Sequence, residues 1–405
     1  MRFKYVCSDC GREYVTDKIM YLCPECEKLN TGEMFPKGNL IVKLSNEVLK
    51  KAKEKEHVTP FDFYPYEAED DGSFPVGITP LMAPKRIREA LDTPNLFFKL
   101  DTLLVSGSFK DRASYLVALQ AKHHGEKKIA LASTGNAGAA MSAVGAAMGI
   151  EIVLFVPATA PINKLMQSVL YGARVIPVKG SYDDAFKLSI EYTRLHGGIN
   201  RNTAYNPMTI EGKKSISIEL FEQMGRKAPD AVYVPVGDGC IIAGVAKGFK
   251  DLLEAGLIEK MPRIICCQSE SSPAISNAIN EGDYRAVEAT TRADSISVDL
   301  PANGRMAAKY VKESKGWAVK VSDERILESQ LTLTSKSGVL AEPAAACAYA
   351  CFEKDRDHMV KELGKDATVV VLLTGTGFKD MKAFDGRVSM PPAIENSVDE
   401  VKKLD

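Results

Sequence analysis

From Asn95 onward, short apolar runs alternate with amphipathic stretches along most of the chain. The runs 129–132, 152–156, 174–178, 231–236, 263–268 and 368–373 are mostly apolar without a polar face, and they predict buried strands. Between them, 113–122, 137–148, 161–171, 183–195, 210–224 and 241–255 read as helices. Short buried strands alternating with helices imply mainly parallel sheets covered on both faces. The fold class is therefore α/β, with two doubly wound sheet domains. The charged run 50–57 reads as a solvated helix face, and the polar stretch 57–77, bearing prolines and acids, as an irregular arm outside the core.

The first 36 residues do not follow this alternation. Cys7-Ser8-Asp9-Cys10 and Cys23-Pro24-Glu25-Cys26 form two knuckles with twelve residues between them. Four thiolates at that spacing suit a tetrahedral structural zinc held by Cys7, Cys10, Cys23 and Cys26, in a ribbon too small for a core of its own. Tyr5, Tyr14 and Tyr21 fit its short strands. A pair of disulfides, disfavoured in a reducing compartment, and a ribbon that no longer holds metal are the competing readings. Cys240, Cys266, Cys267, Cys347 and Cys351 lie in apolar stretches, as small core residues do.

Composition narrows the class further. The chain has 405 residues, 45% hydrophobic and 26% charged, and its net charge of −1 gives no global pull toward nucleic acid or a membrane surface. No apolar run reaches the length of a membrane span, and Met1-Arg2-Phe3-Lys4-Tyr5 leads into cysteines rather than a signal-peptide core. The expectation is a cytoplasmic enzyme acting on a small molecule.

Three glycine turns carry the candidate chemistry, each directly after a strand run. They are Ser133-Thr134-Gly135-Asn136, Gly237-Asp238-Gly239-Cys240-Ile241 and Thr374-Gly375-Thr376-Gly377. Backbone N–H groups at a strand–turn–helix junction favour a carboxylate or phosphate. Ligands in such sheets sit at the strands' carboxyl ends, so one cleft can collect all three turns. A lone lysine, Lys110 in Ser106-Gly107-Ser108-Phe109-Lys110-Asp111-Arg112, stands where a helix begins. The positive end of the helix dipole makes its proton easier to lose. A neutral amine is what condensation with an aldehyde requires.

In this order, these pieces resemble the fold-type II pyridoxal phosphate enzymes, whose fold is that of the tryptophan synthase β chain. Among them they are most similar to the threonine synthases. The likeness runs from Ile78-Thr79-Pro80-Leu81 to Gly377-Phe378-Lys379-Asp380 and includes Asn206-Pro207 with Glu211-Gly212. It implies a ribbon at 1–36 and a catalytic region at 37–405, whose large domain (60–110 and 200–390) carries an inserted small domain (111–199). It also implies pyridoxal 5'-phosphate condensed with Lys110, and the backbone of Gly237, Asp238, Gly239, Cys240 and Ile241 around the cofactor phosphate. Asp238 departs from a good phosphate loop and is expected to point outward. Thr374 would face the pyridine nitrogen and Asn136 the phenolic oxygen.

The same likeness places the substrate carboxylate on Ser133, Thr134 and the amides of Asn136 and Ala137. A substrate phosphate would meet Asn163, Lys164 and Asn206. The implied reaction converts O-phosphohomoserine and water to threonine and phosphate, with Lys110 shuttling protons, in a homodimer. Where the family often has an arginine after Asn-Pro, this chain has Thr209. Lys213 and Lys214 could compensate, although a helix there could equally turn them to solvent. Sister readings are β-replacement or elimination on another amino acid, as in cysteate synthases or the threonine, serine and diaminopropionate ammonia-lyases. A further reading is a ribbon binding module on an inactive enzyme body, and retention of Lys110 speaks against it.

Overall fold

Strands form where the apolar runs predict them, and they assemble into two separate parallel sheets. The computed structural model describes residues 1–404. One sheet has six strands in the order Ala318–Val321, Arg263–Ser269, Ala231–Pro235, Val369–Leu373, Leu96–Leu100 and Leu81–Met82. Only the edge strand Leu81–Met82 is antiparallel to its neighbour. The second sheet runs Arg174–Val178, Glu151–Pro157, Lys128–Ala132 and Ile199–Asn200, all parallel. The central strands of the first sheet are buried from end to end and those of the second along their middles, as helices on both faces require.

The helix Asn136–Met148 shows why its sequence is so poor in large residues. A Cβ on Gly145 would clash with the Ile152 side chain, so the helix sits directly on its neighbouring strand. The expected helix 210–224 is instead three pieces: Met208–Glu211, a 3₁₀ turn Gly212–Lys214, and Ser215–Gln223. Gly212 opens that 3₁₀ turn, and only a glycine fits there, since a Cβ would meet the Arg112 carbonyl oxygen at 2.5 Å.

The N-terminal segment is a three-stranded antiparallel sheet of Glu13–Tyr14, Phe3–Cys7 and Leu40–Leu44. Its third strand lies beyond the ribbon end read from sequence at Pro36. Tyr21 lies outside these strands and stacks on Tyr205, 4.6 Å between ring centroids. The arm 57–77 is not outside the core either. Val58, Phe63, Tyr64, Tyr66 and Phe74 are buried in the cluster that also takes Phe3 and Tyr5. Irregular backbone and polar composition concealed aromatic anchors spaced too unevenly to show a period. No helix among the described residues is long and apolar enough to cross a membrane.

Candidate active site

Each glycine turn sits at the carboxyl end of its strand: Ser133 after Lys128–Ala132, Gly237 after Ala231–Pro235, and Thr374 after Val369–Leu373. Direct contacts join the third turn to the segment carrying Lys110, which opens the helix Lys110–His123. Phe109 donates its N–H to the Thr374 carbonyl at 2.8 Å, and Ser108 bridges Gly375. Gly107 adopts φ 76°, and a Cβ there would meet Thr376 Cγ2 at 2.8 Å. Lys110 and the third turn are thus locked together by backbone.

The helix behind Lys110 is fixed by buried charge. Arg112 donates to both oxygens of Asp101, at 2.6 and 2.9 Å, and to both oxygens of Glu219. Lys99 reaches Glu219 at 2.8 Å. Burial alone would raise the Glu219 carboxyl, but Arg112 and Lys99 outweigh it and hold the group down at about 2. One residue before Arg112, Asp111 accepts from the Ser106 amide at 2.8 Å and from its hydroxyl, which closes the turn carrying Lys110.

Lys110 itself has no hydrogen-bond partner among the described residues. Burial lowers its pKa, Glu342 works against that shift, and Arg201 adds to it. Glu342 is a residue that motif reasoning passed over. It caps the helix Pro343–Leu363, accepts from Asn136 Nδ2 at 3.0 and 3.2 Å, and is raised by burial. An acid immediately before Pro343 and a run of alanines was the available signal, but it reads as an ordinary N-cap. Ser295 also accepts from Asn136, at 3.3 Å.

The Ser133 hydroxyl accepts from the Gly135 and Gly138 amides at 3.2 and 3.0 Å and so caps the helix Asn136–Met148. The amides of Asn136 and Ala137 begin that helix and have no carbonyl ahead of them. Thr134 and Ala137 are half-buried beside them, and Thr374 is buried. In the second turn, Gly239 takes φ 85° and caps the helix Cys240–Glu254, with Ile241 in its first turn. Asp238 is half-buried; its Oδ1 accepts from the Ala302 amide at 3.3 Å, and burial raises its pKa.

The residues expected around a substrate phosphate separate. Lys164 is exposed and pairs with Asp294 at 3.0 Å, next to an exposed Asn163. Asn206 is fully buried, its Nδ2 on Gln120 and Asn200 and its Oδ1 on the Met208 amide. It therefore holds its own turn and offers no free donor to the cleft. Lys213 and Lys214 do not face solvent: both are fully buried. Lys214 pairs with Glu211 and with Asp251 at 2.7 Å. Lys213 and the equally buried Arg201 take part in no ion pair among the described residues. With Lys110, three buried basic groups gather here without a carboxylate salt bridge, which suits an anionic, aldehyde-bearing ligand such as pyridoxal phosphate.

Away from the cleft, the sulfurs of Cys7, Cys10, Cys23 and Cys26 lie within 4.8 Å of one another, Cys7–Cys26 at 3.7 Å and Cys10–Cys23 at 3.9 Å. A tetrahedron with metal–sulfur bonds of about 2.3 Å has edges of about 3.8 Å.

The profile of the family described as "Pyridoxal-phosphate dependent enzyme" matches residues 73–375. The threonine synthase of Methanosarcina acetivorans is 31% identical, covering 98% of this chain and 97% of its own. That of Methanocaldococcus jannaschii is 31% identical with 98% of each chain covered. Among solved structures, diaminopropionate ammonia lyase from Escherichia coli superposes with a TM-score of 0.67 at 17% identity, covering 84% of this chain and 91% of that one. Maize serine racemase gives 0.65 at 21%, covering 76% and 91%. These two likenesses establish the fold, the two-sheet architecture of fold-type II pyridoxal phosphate enzymes.

Proposed function

We infer that this chain, which belongs to the pyridoxal-phosphate-dependent enzymes and among them to the threonine synthases, converts O-phosphohomoserine and water to threonine and phosphate. The observation that carries this reading is similarity along almost the whole chain to threonine synthases, together with an unpartnered lysine where the glycine turns meet. When bound, the cofactor supplies an aldehyde for an amine and a conjugated ring that takes up electron density from the substrate's Cα.

In this reading the chain's own groups divide the work. Lys110 Nζ binds the cofactor at rest, and burial favours the neutral amine that can accept a proton. Once released by the incoming amino acid, it takes the protons from Cα and then Cβ. The phosphate leaves from Cγ, Lys110 returns one proton there, water adds at Cβ and gives up its own proton, and Lys110 returns the second proton to Cα. The amides of Gly237, Asp238, Gly239, Cys240 and Ile241 cradle the cofactor phosphate, with Thr374 at the ring nitrogen and Asn136 at its phenolic oxygen. Ser133, Thr134 and the amides of Asn136 and Ala137 hold the substrate carboxylate. At the cleft mouth, Lys164 would exchange Asp294 for the substrate phosphate beside Asn163.

Four thiolates close to tetrahedral spacing support a structural zinc on Cys7, Cys10, Cys23 and Cys26. The functional unit in this proposal is a cytoplasmic homodimer. A second reading has one observation in its favour: Thr209 supplies no guanidinium for a substrate phosphate, which suits a β-substituted amino acid instead. Incubating the holoenzyme separately with O-phosphohomoserine, O-phosphoserine, threonine and serine, and assaying phosphate and keto acid, decides between them. Threonine and phosphate from the first substrate alone are expected. Keto acid from serine or threonine, with O-phosphohomoserine untouched, would overturn the proposal.

A further inference from the structure

Two buried cations near the second glycine turn have no task in the scheme above. Lys213 is entirely shielded from solvent, and its Nζ donates to the Thr209 carbonyl at 2.8 Å. Three elements converge on it. The preceding Gly212 presses on the lysine-bearing helix at the Arg112 carbonyl. On the other side, a Cβ on Gly244 would meet Lys213 Cβ at 2.5 Å, one turn beyond Cys240 at the start of the glycine-loop helix. Arg201 follows the strand Ile199–Asn200 at its carboxyl end and is equally buried. Its guanidinium donates to Thr203 Oγ1 at 2.7 Å and approaches Ser114, one turn along from Lys110, at 3.4 Å.

Every partner of these two cations is a neutral oxygen. Their other polar neighbours do not neutralise them either. Burial pushes the Cys240 thiol to about 11 and the Tyr182 hydroxyl to about 12, so both are uncharged near neutrality. Asp238 is the one acid in the group, and its carboxylate is turned onto the Ala302 amide. With only Asp238 to oppose it, burial lowers Lys213 to about 7 and Arg201 to about 10, so an anionic ligand is what would hold Lys213 as an ammonium. Lys213 packs against Gly244 near the start of the helix Cys240–Glu254, whose own amides favour an anion, and this identifies the kind of ligand.

We propose that Lys213 and Arg201 form a built-in seat for the dianionic phosphate of the cofactor, which offsets Asp238 in the glycine loop. The inference rests on the pyridoxal phosphate reading and deepens it by assigning two residues that the loop amides alone would not need. A Lys213 ammonium at the helix N-terminus supplies a positive charge close to the group that the Asp238 carboxylate would otherwise repel. It also accounts for a chain that keeps an acid inside a phosphate loop.

The test is cofactor retention by the holoenzyme. Wild type, Lys213→Met, Lys213→Arg and Arg201→Gln are loaded with pyridoxal 5'-phosphate or with pyridoxal, diluted, and followed by the absorbance of bound cofactor. Charge-assisted bonds to a phosphate predict that Lys213→Met loosens pyridoxal 5'-phosphate by roughly 10- to 100-fold, with Lys213→Arg recovering part of the loss. Pyridoxal, which lacks the phosphate, should be held equally by all. Phosphorus NMR of the wild type gives a reading that needs no variant, since a seated dianion keeps its chemical shift as pH falls through its free pKa of about 6. Equal loosening of both cofactors would make Lys213 a folding residue and overturn the seat. So would unchanged cofactor affinity with a raised KM for O-phosphohomoserine, which would assign the pair to the substrate. A wild type with no bound-cofactor absorbance would overturn the underlying reading itself.

Discussion

Asn136 and Glu342 face each other across the cleft, with the asparagine amide donating to both carboxylate oxygens at 3.0 and 3.2 Å. The contact ties the first glycine turn to the third, because the Glu342 amide donates to the Gly375 carbonyl at 3.0 Å. For Asn136 to reach a cofactor oxygen, as proposed, it must loosen its hold on this carboxylate. Burial raises the Glu342 pKa, and Asn136, Lys110 and Lys379 oppose the rise. Glu342→Gln keeps the shape but removes the charge that helps keep Lys110 protonated. Its Lys110 should titrate lower, so the acid limb of the kcat profile should move to lower pH. An unmoved limb, with only KM changed, would show that Glu342 merely orients Asn136.

Lys110→Ala should abolish the cofactor absorbance band that borohydride removes, and turnover should fall by at least about 1,000-fold, on the scale of losing a nucleophilic or general-base group. The fold should survive, since the helix is fixed by Asp111 and Arg112 rather than by Lys110. Lys110→Arg should do no better, because a guanidinium stays protonated. Near-wild-type turnover in the alanine variant would remove Lys110 from the chemistry.

Much of this site was legible in the sequence because its parts are local. A strand followed by a glycine turn can be read from adjacent residues, and all three turns stand at strand ends. What could not be read is whatever depends on distant partners. Glu342 looks like a helix cap until Asn136 is placed opposite it, more than 200 positions away in the chain. Lys213 and Lys214 look alike in sequence, yet one meets Asp251 and Glu211 while the other meets only neutral groups. Apolar periodicity marks buried strands, but it cannot say whether a buried charge has found its counter-charge.

The Arg112–Glu219–Asp101–Lys99 cluster should govern acid stability. Glu219 titrates at about 2 in the folded protein, against about 4.3 in an unfolded chain. A depressed acid contributes stability that is complete above the unfolded value and is lost as pH falls through the folded one, about 3 kcal/mol in all. In Glu219→Gln, the loss of stability between about pH 4 and pH 2 should flatten. Arg112→Met, which leaves Asp101 without its cation and Glu219 with Lys99 alone, should cost about 3–5 kcal/mol in denaturant unfolding near neutral pH. Costs below about 1 kcal/mol would mean that the cluster is hydrated rather than buried.

Tyr21 links the ribbon to the strand end that carries Arg201. Tyr21 accepts the Asn200 N–H at 2.9 Å on its hydroxyl and stacks on Tyr205, and the residue after Asn200 is Arg201. The ribbon also shares the main core, with Phe3 and Tyr5 buried among Phe63, Tyr64 and Tyr66. It lies apart from the groups proposed for chemistry. Metal analysis should therefore find about one zinc per chain, and Cys7→Ser with Cys26→Ser should abolish it. Loss of metal should lower the melting temperature and weaken cofactor retention through the Asn200–Arg201 strand end, while the folded fraction keeps its kcat. Tyr21→Phe isolates the coupling: zinc should stay bound and cofactor retention should fall. A zinc-free protein that melts unchanged would show the four cysteines to be ordinary packing. A folded, cofactor-loaded variant without turnover would instead place the ribbon in the chemistry.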